Sequence, residues 1–182
     1  MSEFPWLKPA PTEDKAKKYR SLTIMDWDAK FMNSLEPWAE YSNCLKKGVA
    51  CILVRDRTIL STGINGVPKG IPHPVSCPRL DYGIKNYDYD SCVCVHAEIN
   101  ALAQAAMNGV NVKGATSYTQ YFPCAKPCFG ALVNAGIVRM VYDEQGGGVG
   151  PSVVDPVAMH MAEYLKIDVK AMHKSNYGGY SE

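Results

Sequence analysis

The sequence predicts an α/β protein, a three-layer α/β/α sandwich around a mixed sheet of roughly five strands. Two observations lead to this fold class. Two short apolar runs, 49–54 and 58–64, are separated by a turn at Asp56 and Arg57, which is typical of a β-hairpin. After residue 96, helix-forming and strand-forming segments alternate, which predicts a sheet with helices on both of its faces.

The first helix is predicted from the spacing of large apolar residues between Met25 and Trp38. Thr23 or Asp26 would cap its amino end, because both side chains accept hydrogen bonds from backbone N–H groups of a first turn. Pro37 falls inside the pattern and is expected to kink or split the helix, since proline lacks the N–H donor.

The second half of the chain alternates between predicted helices and strands. Gly109 and Gly136 mark helix ends, and the three glycines 146–148 predict a mobile loop. The predicted elements are a helix over 97–107, a strand over 115–122, a helix that starts near Cys124 and runs to about Asn134, a strand over 137–142, a helix over 156–165 and a strand over 167–172.

With 182 residues, the chain fits one domain of ordinary size. We expect this domain to span residues 23–174, between an N-terminal arm over 1–22 and a flexible tail over 175–182. Hydrophobic residues make up 47% of the chain and charged residues 20%, the proportions of a soluble globular protein. No apolar run approaches the roughly 20 residues of a membrane-spanning helix, so we expect a cytoplasmic protein without a membrane partner.

The net charge of the chain is +1. A broad surface for nucleic acid needs clustered Lys and Arg, because sequence-independent affinity comes from neutralising phosphates. The composition therefore argues against a nucleic-acid partner and is compatible with a pocket for a single nucleotide.

A long connection over residues 71–95 is rich in Pro, Tyr and Asp. Loops of this length inside a compact domain are commonly functional or braced by metal. A second, structural Zn²⁺ is one interpretation of the cysteines in and near this segment, and simple burial is the other. The candidate ligands of this second zinc are Cys44, His73, Cys77, Cys92 and Cys94.

The main chemical motif is His96-Ala97-Glu98 followed by a cysteine pair, Cys124 and Cys128. One imidazole and two thiolates suit zinc and leave a fourth tetrahedral position for water, as in catalytic zinc sites. Glu98 lies two residues after the histidine and is placed to carry protons for that water. The pattern H-x-E with P-C-x-x-C is the signature of zinc-dependent nucleobase deaminases.

The cysteine pair departs from that signature by one residue, because three residues separate Cys124 from Cys128. Within a helix, a separation of four positions still places both side chains on one face, so both can bind one ion. Pro123 and Pro127 predict a helix start, with Cys124 at or outside the cap and Cys128 in the first turn. The alternative is that both cysteines are core residues.

These motifs resemble the deoxycytidylate (dCMP) deaminase family of the cytidine deaminase superfamily. The histidine, glutamate and cysteine motif is specific to the superfamily, whereas the Asn-Gly-x-Pro loop and Asn100 narrow the resemblance to the dCMP branch. The segments that carry it are Ser42-Asn43-Cys44, Gly48-Val49-Ala50, Gly63 to Pro68, His96 to Ala101, Phe122 to Cys128 and Ala135-Gly136-Ile137.

The resemblance implies hydrolysis of dCMP to dUMP and ammonia. It assigns a catalytic Zn²⁺ to His96, Cys124 and Cys128, and the proton carrier to Glu98. Tyr121 would line the substrate pocket or, equally, pack in the core. The implied substrate contacts are made by Asn65, Gly66, Pro68 and Ala97.

The family is also hexameric, activated by dCTP and inhibited by dTTP, and its product supplies thymidylate synthesis. The resemblance therefore implies a homo-hexamer with both effectors, accompanied by Mg²⁺ on their triphosphates. The 71–95 connection and the basic residues near Lys69 are candidates for the effector site.

Other functions share parts of the pattern. A deaminase of tRNA adenosine or of a polynucleotide cytidine would use the same zinc motif with a basic channel, and a deaminase of free cytidine or guanine would not need a phosphate. A zinc-stabilised binding module is the non-enzymatic alternative, in which Glu98 would be incidental.

Overall fold

A mixed sheet of five strands lies at the centre of the computed structural model, which describes residues 26–83, 92–146 and 154–176. The strands lie side by side in the order β2-β1-β3-β4-β5. Their bounds are Ala50–Arg55 for β1, Thr58–Ile64 for β2, Thr116–Thr119 for β3, Arg139–Asp143 for β4 and Asp168–Met172 for β5.

The sheet combines an antiparallel half with a parallel half. Strand β1 pairs antiparallel with β2 and with β3, whereas β3, β4 and β5 run parallel. The predicted hairpin is confirmed, and its turn residues Asp56 and Arg57 both have positive φ values of 50° and 62°, as the tight turns of hairpins require. The carboxyl ends of β2, β3, β4 and β5 consequently meet at one edge of the sheet.

Helices cover both faces of this sheet. One long helix, α1, lies on one face, and most of the other helices belong to the second half of the chain. The helix bounds are Trp27–Ala39 for α1, Pro78–Asp81 for α2, Ala97–Met107 for α3, Gly130–Asn134 for α4 and Pro156–Leu165 for α5.

Two apolar cores result from the alternation of side chains along β1. Cys51 and Leu53 point to the core formed with α3, α4 and α5, whereas Ala50, Ile52 and Val54 point to the core formed with α1. The four consecutive side chains from Ala50 to Leu53 have no exposed surface. The predicted three-layer sandwich is therefore confirmed.

Helix α1 begins where its capping residue predicts. The side chain of Asp26 accepts hydrogen bonds from the N–H groups of Asp28 and Ala29, whereas Thr23, the other predicted cap, lies outside the described residues. The prediction that Pro37 splits the helix is wrong, because the helix continues through it to Ala39. Pro37 lies near the carboxyl end, where few intrahelical bonds remain to be lost, and Glu40 N–H still donates to the Glu36 carbonyl at 3.3 Å.

Several predicted boundaries need correction. The strand predicted over 115–122 ends at Thr119, and the polar connection over 71–95 contains the short helix α2. The predicted flexible tail, 175–182, starts with two residues that belong to a 3₁₀ turn over Lys174–Asn176. The arm over 1–22, part of the 146–148 loop and the rest of the tail lie outside the described residues.

Within the part of the chain that the structure describes, no helix has both the length and the apolar character needed to cross a membrane.

Candidate active site

The candidate site is built at the amino end of α3, next to the carboxyl edge of the sheet. His96 is the N-cap of α3 with extended backbone angles, and Glu98 lies in the first turn. Asn100 Nδ2 donates to the Ile64 carbonyl at 2.7 Å, and Ser61 Oγ donates to the Ala101 carbonyl at 2.7 Å. These two bonds fix the first turns of α3 against β2.

Gly63 allows α3 to approach β2 at backbone distance. A Cβ atom built on Gly63 would lie 2.1 Å from the Ala97 carbonyl oxygen and 2.2 Å from the Ala101 nitrogen. Both distances are far below van der Waals contact, so a side chain at this position would push the helix away from the strand. Gly63 therefore helps to set where His96 and Glu98 stand.

The cysteine pair lies on a wide turn that precedes α4. Cys124 is the N-cap of a π-type turn over Ala125–Phe129, and Phe129 N–H donates to the Cys124 carbonyl at 2.9 Å, five residues back. Lys126 has extended backbone angles of −134° and 128°. The additional residue between the cysteines is thus accommodated in a turn that is wider than a regular α-helical turn.

His96, Cys124 and Cys128 come together across this site. His96 Nδ1 lies 3.2 Å from Cys128 Sγ and 3.6 Å from Cys124 Sγ. Their ligand atoms all lie within 4.8 Å of one another, and the described residues contain no other such group of three or more His, Cys, Asp or Glu. In a tetrahedral zinc site with Zn–S of about 2.3 Å and Zn–N of about 2.0 Å, nitrogen and sulfur lie about 3.6 Å apart. The donor set and its spacing therefore fit Zn²⁺.

The two thiols have opposite pKa shifts. A hydrogen bond from the Cys128 thiol, together with the adjacent His96, outweighs the effect of burial and lowers the pKa of Cys124 to about 4. The pKa of Cys128 is raised by the Cys124 group and by burial. The metal-free pair therefore holds one thiolate and one thiol, and a bound metal ion would displace the remaining proton.

Glu98 is almost completely buried, with 5% of its surface exposed. Burial raises the pKa of its carboxyl group above the usual value, and the Cys128 thiol donates to Glu98 Oε2 at 3.4 Å. A raised pKa makes a carboxyl group a better proton acceptor than an ordinary glutamate. Its place beside the candidate metal ligands is suited to a general acid and base.

Asn65 follows β2 and orders a neighbouring loop through its side chain. Asn65 Oδ1 accepts from Val49 N–H at 2.7 Å and from Ser42 Oγ at 2.7 Å, and Asn65 Nδ2 donates to the Lys47 carbonyl at 2.8 Å. The side chain thus holds the 42–49 segment against the end of β2. One N–H of the amide is not used by these three bonds.

Gly66 connects the same loop to the segment before His96. Gly66 and Val95 exchange two backbone hydrogen bonds of 3.1 and 2.8 Å. A Cβ on Gly66 would lie 2.2 Å from Asn43 Oδ1, which accepts from Val67 N–H at 3.0 Å. A side chain at position 66 would therefore displace the Asn43 side chain from its bond with Val67 N–H.

The other residues that were predicted to contact substrate differ in exposure. Pro68 is exposed at the surface of the loop, whereas Ala97 has no exposed surface. Tyr121 is partly exposed, and its hydroxyl group donates to the Gly146 carbonyl. Lys47 Nζ lies 3.9 Å from the centre of the Tyr121 ring and donates to the same carbonyl at 3.2 Å.

A cleft of about 300 Å³ lies between α1 and the carboxyl edge of the sheet. Lys47 and Tyr121 line it together with Glu36, Asp143 and Lys174, and its lining does not include the three candidate zinc ligands. Its volume is at the lower end of the range for small-molecule sites. Through Lys47 and Gly48 the cleft borders the 42–49 segment that Asn65 holds in place.

The predicted second metal site is only partly assembled. The Cys94 thiol lies beside the thiols of Cys44 and Cys92, and burial together with these neighbours raises its pKa to about 12. His73 is exposed, with its Nδ1 atom 3.1 Å from the carbonyl oxygen of the adjacent Pro74. The structure thus brings three of the five predicted residues near one another, without a set of ligand atoms as close as that at His96.

Sequence analysis missed residues that organise the site from outside it. Lys47 adds a positive charge, and Asp155 binds the cysteine turn from the cap of α5. Ser42 and Asn43, which were named only for the resemblance, brace the substrate loops. The Asp155-Pro156 pair is a recognisable helix start. The contact of Asp155 with a turn 30 residues away has no local signal in the sequence.

Comparison with known proteins identifies the family. The model of the "Cytidine and deoxycytidylate deaminase zinc-binding region" matches residues 25–144. The deoxycytidylate deaminase of Saccharomyces cerevisiae is 35% identical over 134 residues, which cover 72% of this chain and 42% of that protein. The deoxycytidylate deaminase of Mycobacterium phage D29 is 34% identical over 126 residues, which cover 66% of this chain and 96% of that protein.

A solved structure extends the likeness to the fold. The dCMP deaminase from the cyanophage S-TIM5, in complex with dCMP and dUMP, has a TM-score of 0.61 and 25% identity, covering 79% of this chain and 94% of that chain. The chain spans less than half the length of its relatives from Saccharomyces cerevisiae and Schizosaccharomyces pombe, 42% and 36% respectively. The predicted resemblance is confirmed, and the chain belongs to the family of the cytidine and deoxycytidylate deaminase zinc-binding region.

Proposed function

We propose that the chain is a zinc-dependent hydrolase that converts dCMP and water into dUMP and ammonia. The observation that carries this proposal is the approach of His96, Cys124 and Cys128 to within 4.8 Å of one another, with the buried carboxyl group of Glu98 beside them. A closed structural zinc site takes four protein ligands. Three ligands and an adjacent proton carrier are the arrangement of a hydrolytic site.

His96, Cys124 and Cys128 would hold the zinc ion, which, when bound, supplies a Lewis acid that activates water for attack. Glu98 accepts a proton from the attacking water and passes it to the ring nitrogen of the pyrimidine. The same carboxyl group then takes the remaining proton from the hydroxyl group added to the ring carbon and delivers it to the exocyclic amine, so that the carbon–nitrogen bond breaks, ammonia departs and a carbonyl group forms. The raised pKa of Glu98 suits both steps, because the group must bind and release a proton in each cycle.

The substrate-binding assignments extend this proposal. Asn65 would contact the deoxyribose through the N–H that its three internal bonds leave unused, and the Ala97 backbone would contact the base edge. Gly66 and Pro68 would form the loop beside the nucleotide, with Tyr121 at its border. The firm attachment of this loop to the 42–49 segment supports a preformed pocket rather than one built on binding.

A preference for the nucleotide over the nucleoside is supported by Lys47. Its ammonium group lies beside Tyr121, and its backbone carbonyl is bonded to Asn65, so it places a positive charge next to two predicted substrate contacts. Burial lowers the pKa of Lys47 from its ordinary value. A nearby phosphate group would favour the charged form of this lysine, and the attraction between the two charges would stabilise the bound nucleotide.

The names of the relatives support dCMP as the substrate. The proteins of Saccharomyces cerevisiae and phage D29 are named deoxycytidylate deaminases, and the cyanophage enzyme was crystallised with dCMP and dUMP. From the family resemblance we further propose activation by dCTP and inhibition by dTTP, each with Mg²⁺, assembly into a homo-hexamer, and a cytoplasmic role in dUMP supply. Each effector would need different affinities for two states of the enzyme.

A second zinc ion is proposed for the cysteines around Cys94. The nearness of Cys44 and Cys92 to the Cys94 thiol supports this interpretation, because a metal ion would remove the cost of burying these groups together. Cys77 or His73 would have to move to complete four ligands. Metal analysis of the loaded protein tests the proposal: two zinc ions per chain support it, and one contradicts it.

The function is tested by ammonia release from dCMP, deoxycytidine, dCTP and a short single-stranded DNA, using the zinc-loaded chain. The proposal predicts turnover of dCMP and little or no turnover of the other three. Faster turnover of deoxycytidine or of the DNA would keep the zinc mechanism and overturn the substrate. An absence of turnover in a chain that binds zinc would favour a zinc-stabilised binding module.

A further inference from the structure

The peptide unit between Cys124 and Ala125 is held by hydrogen bonds on both of its polar atoms. Its carbonyl oxygen accepts from Phe129 N–H at 2.9 Å. Its N–H group donates to Asp155 Oδ2, also at 2.9 Å. Because this unit directly follows the Cα atom of Cys124, the two bonds fix the direction in which the Cys124 side chain leaves the backbone.

The turn between the cysteines needs these two hydrogen bonds because it is unusually wide. Lys126 adopts extended rather than helical angles between the two cysteines, so the turn is not held by a regular α-helical ladder. A turn with an additional residue has more ways to arrange its backbone. Contacts from outside the turn must then select the arrangement that brings both sulfur atoms to His96.

Asp155 is attached to a fixed support. It is the N-cap of α5, and its Oδ1 atom accepts from Val157 N–H at 2.9 Å and Ala158 N–H at 3.2 Å. Ala158 and Ala162 of this helix are buried in the same core as Phe129. The hydrogen bond from Ala125, together with the two cap bonds, also lowers the pKa of the Asp155 carboxyl group, which keeps it ionised at neutral pH.

The chain contains a second aspartate cap that shows what capping alone requires. Asp26 Oδ1 accepts both cap bonds of α1, from Asp28 N–H at 3.0 Å and Ala29 N–H at 3.4 Å. One oxygen is therefore sufficient for capping. At Asp155 the same task occupies Oδ1, and Oδ2 extends to a turn that is 30 residues away in the sequence.

We propose that Asp155 is a positioning residue for the zinc site. Its Oδ2 atom accepts a hydrogen bond from Ala125 N–H and thereby keeps the Cys124 sulfur close enough to His96 for both residues to bind one zinc ion. The proposal rests on the proposed function, since it assumes that His96, Cys124 and Cys128 bind zinc. It gives the carboxylate a task separate from capping α5. A capping role alone would require a single acceptor atom.

The test compares Asp155→Ser with Asp26→Ser in the full-length, zinc-loaded chain. Serine is a good N-cap, so both variants keep an acceptor for their helix, but at position 155 the second oxygen is lost. Zinc affinity is measured by competition with a chromophoric chelator. The spectrum of the cobalt-substituted chain adds a readout of how the thiolates bind the metal, which a loss of helix stability alone would not change.

We expect Asp155→Ser to raise the Kd for zinc about 10-fold, in the range found for residues that orient metal ligands, and to alter the thiolate-to-cobalt absorption. Asp26→Ser should leave both unchanged. Asp155→Asn is the second variant if the serine variant does not fold, because a single amide oxygen cannot serve both the cap and Ala125. It too should weaken zinc binding.

An unchanged zinc Kd and cobalt spectrum in the position 155 variants would overturn this proposal alone, since the parent chain would still bind zinc. Equal weakening in Asp26→Ser would also overturn it, because the effect would then come from general stability. Failure of the parent chain to bind zinc would instead overturn the proposed function, and the role of Asp155 with it.

Discussion

Two clusters of ionisable side chains lie within this fold, and they are held in opposite ways. The Asp28 cluster, formed by Asp28, Tyr118, Arg139 and Lys170, surrounds one carboxylate with four donor atoms from three side chains at 2.6 to 2.8 Å. The candidate zinc site, formed by His96, Glu98, Cys124 and Cys128, places a carboxyl group beside two thiols. The first cluster balances its carboxylate with cationic side chains, whereas the second groups donor atoms that suit a metal ion.

The pKa values of the carboxyl groups of Asp28 and Glu98 are shifted in opposite directions. The hydrogen bond and charge of Arg139, with help from Lys170, hold the pKa of Asp28 well below its usual range. Burial raises the pKa of Glu98. Buried charges are expensive unless they are paired. Pairing with Arg139 and Lys170 identifies the Asp28 cluster as a structural element, whereas the soft donor set of one imidazole and two thiols beside Glu98 suits a metal ion.

The largest difference between the clusters should appear when one zinc ligand is removed. We expect Cys128→Ala to lose the bound zinc and to abolish dCMP turnover, because two ligands hold Zn²⁺ far more weakly than three. Metal analysis and ammonia release measure the two effects. Cys51→Ala is the matched control, since Cys51 is a buried thiol on the same side of the sheet that does not belong to the ligand group. Full zinc content in Cys128→Ala would contradict the assignment.

The position of the candidate zinc site should depend on the packing of α3 against β2 rather than on ion pairs. Gly63→Ala forces a Cβ atom against the backbone of α3, and we expect it to lower the free energy of unfolding by about 3 kcal/mol. It should also reduce zinc affinity, since the first turn of α3 is displaced. Gly130→Ala is the control, because the nearest atom to its new Cβ is 4.0 Å away. Chemical denaturation of both variants measures the difference, and equal stabilities would contradict the packing argument.

A substitution in the Asp28 cluster should lower the stability of the chain and leave its catalytic activity unchanged. We expect Asp28→Asn to lower the free energy of unfolding by about 2 kcal/mol, because Arg139 and Lys170 lose their partly buried counter-charge. Turnover of dCMP at a temperature where the variant is folded should be unchanged. Denaturation and ammonia release are the two measurements. A loss of turnover in the folded variant would show that the clusters are coupled.

The smallest and most gradual effect that we expect is the loss, in acid, of the stability that the Asp28 carboxylate contributes. The pKa of Asp28 in the folded chain lies below its unfolded value of about 3.9, so its stabilisation is present above that pH and is lost as the pH falls through the folded value. The stability gap between the parent chain and Asp28→Asn should therefore be constant from about pH 5 to 7 and shrink below about pH 4. Denaturation across this range measures the gap, and a gap that grew in acid would refute the assigned sign.

Local patterns predicted most of the fold and the central residues of the site. The hairpin followed from two apolar runs and a two-residue turn, and helix α5 was predicted over 156–165, the bounds it has. His96, Glu98 and the cysteine pair were found because metal chemistry restricts residue types and spacing. Pro37 misled the prediction, because its effect depends on how near it is to the helix end.

Long-range contacts could not be predicted in the same way. Asp28 meets Arg139 and Lys170 across separations of 111 and 142 residues, and Asp155 meets Ala125 across 30. Periodicity indicates which face of an element is buried, but not which polar side chains meet at the ends of different elements. Lys47 and Tyr121 illustrate the same limit, since only the folded sheet edge brings them together.

The role of Glu98 is tested most directly by ammonia release from dCMP in the zinc-loaded Glu98→Gln variant, with zinc content measured on the same sample. Glutamine keeps the shape of the side chain and cannot carry the proton. We predict that the variant keeps its zinc and loses turnover by about 1,000-fold, within the range for removal of a general acid and base. Turnover close to that of the parent chain, with zinc still bound, would contradict the account of Glu98 as the proton carrier.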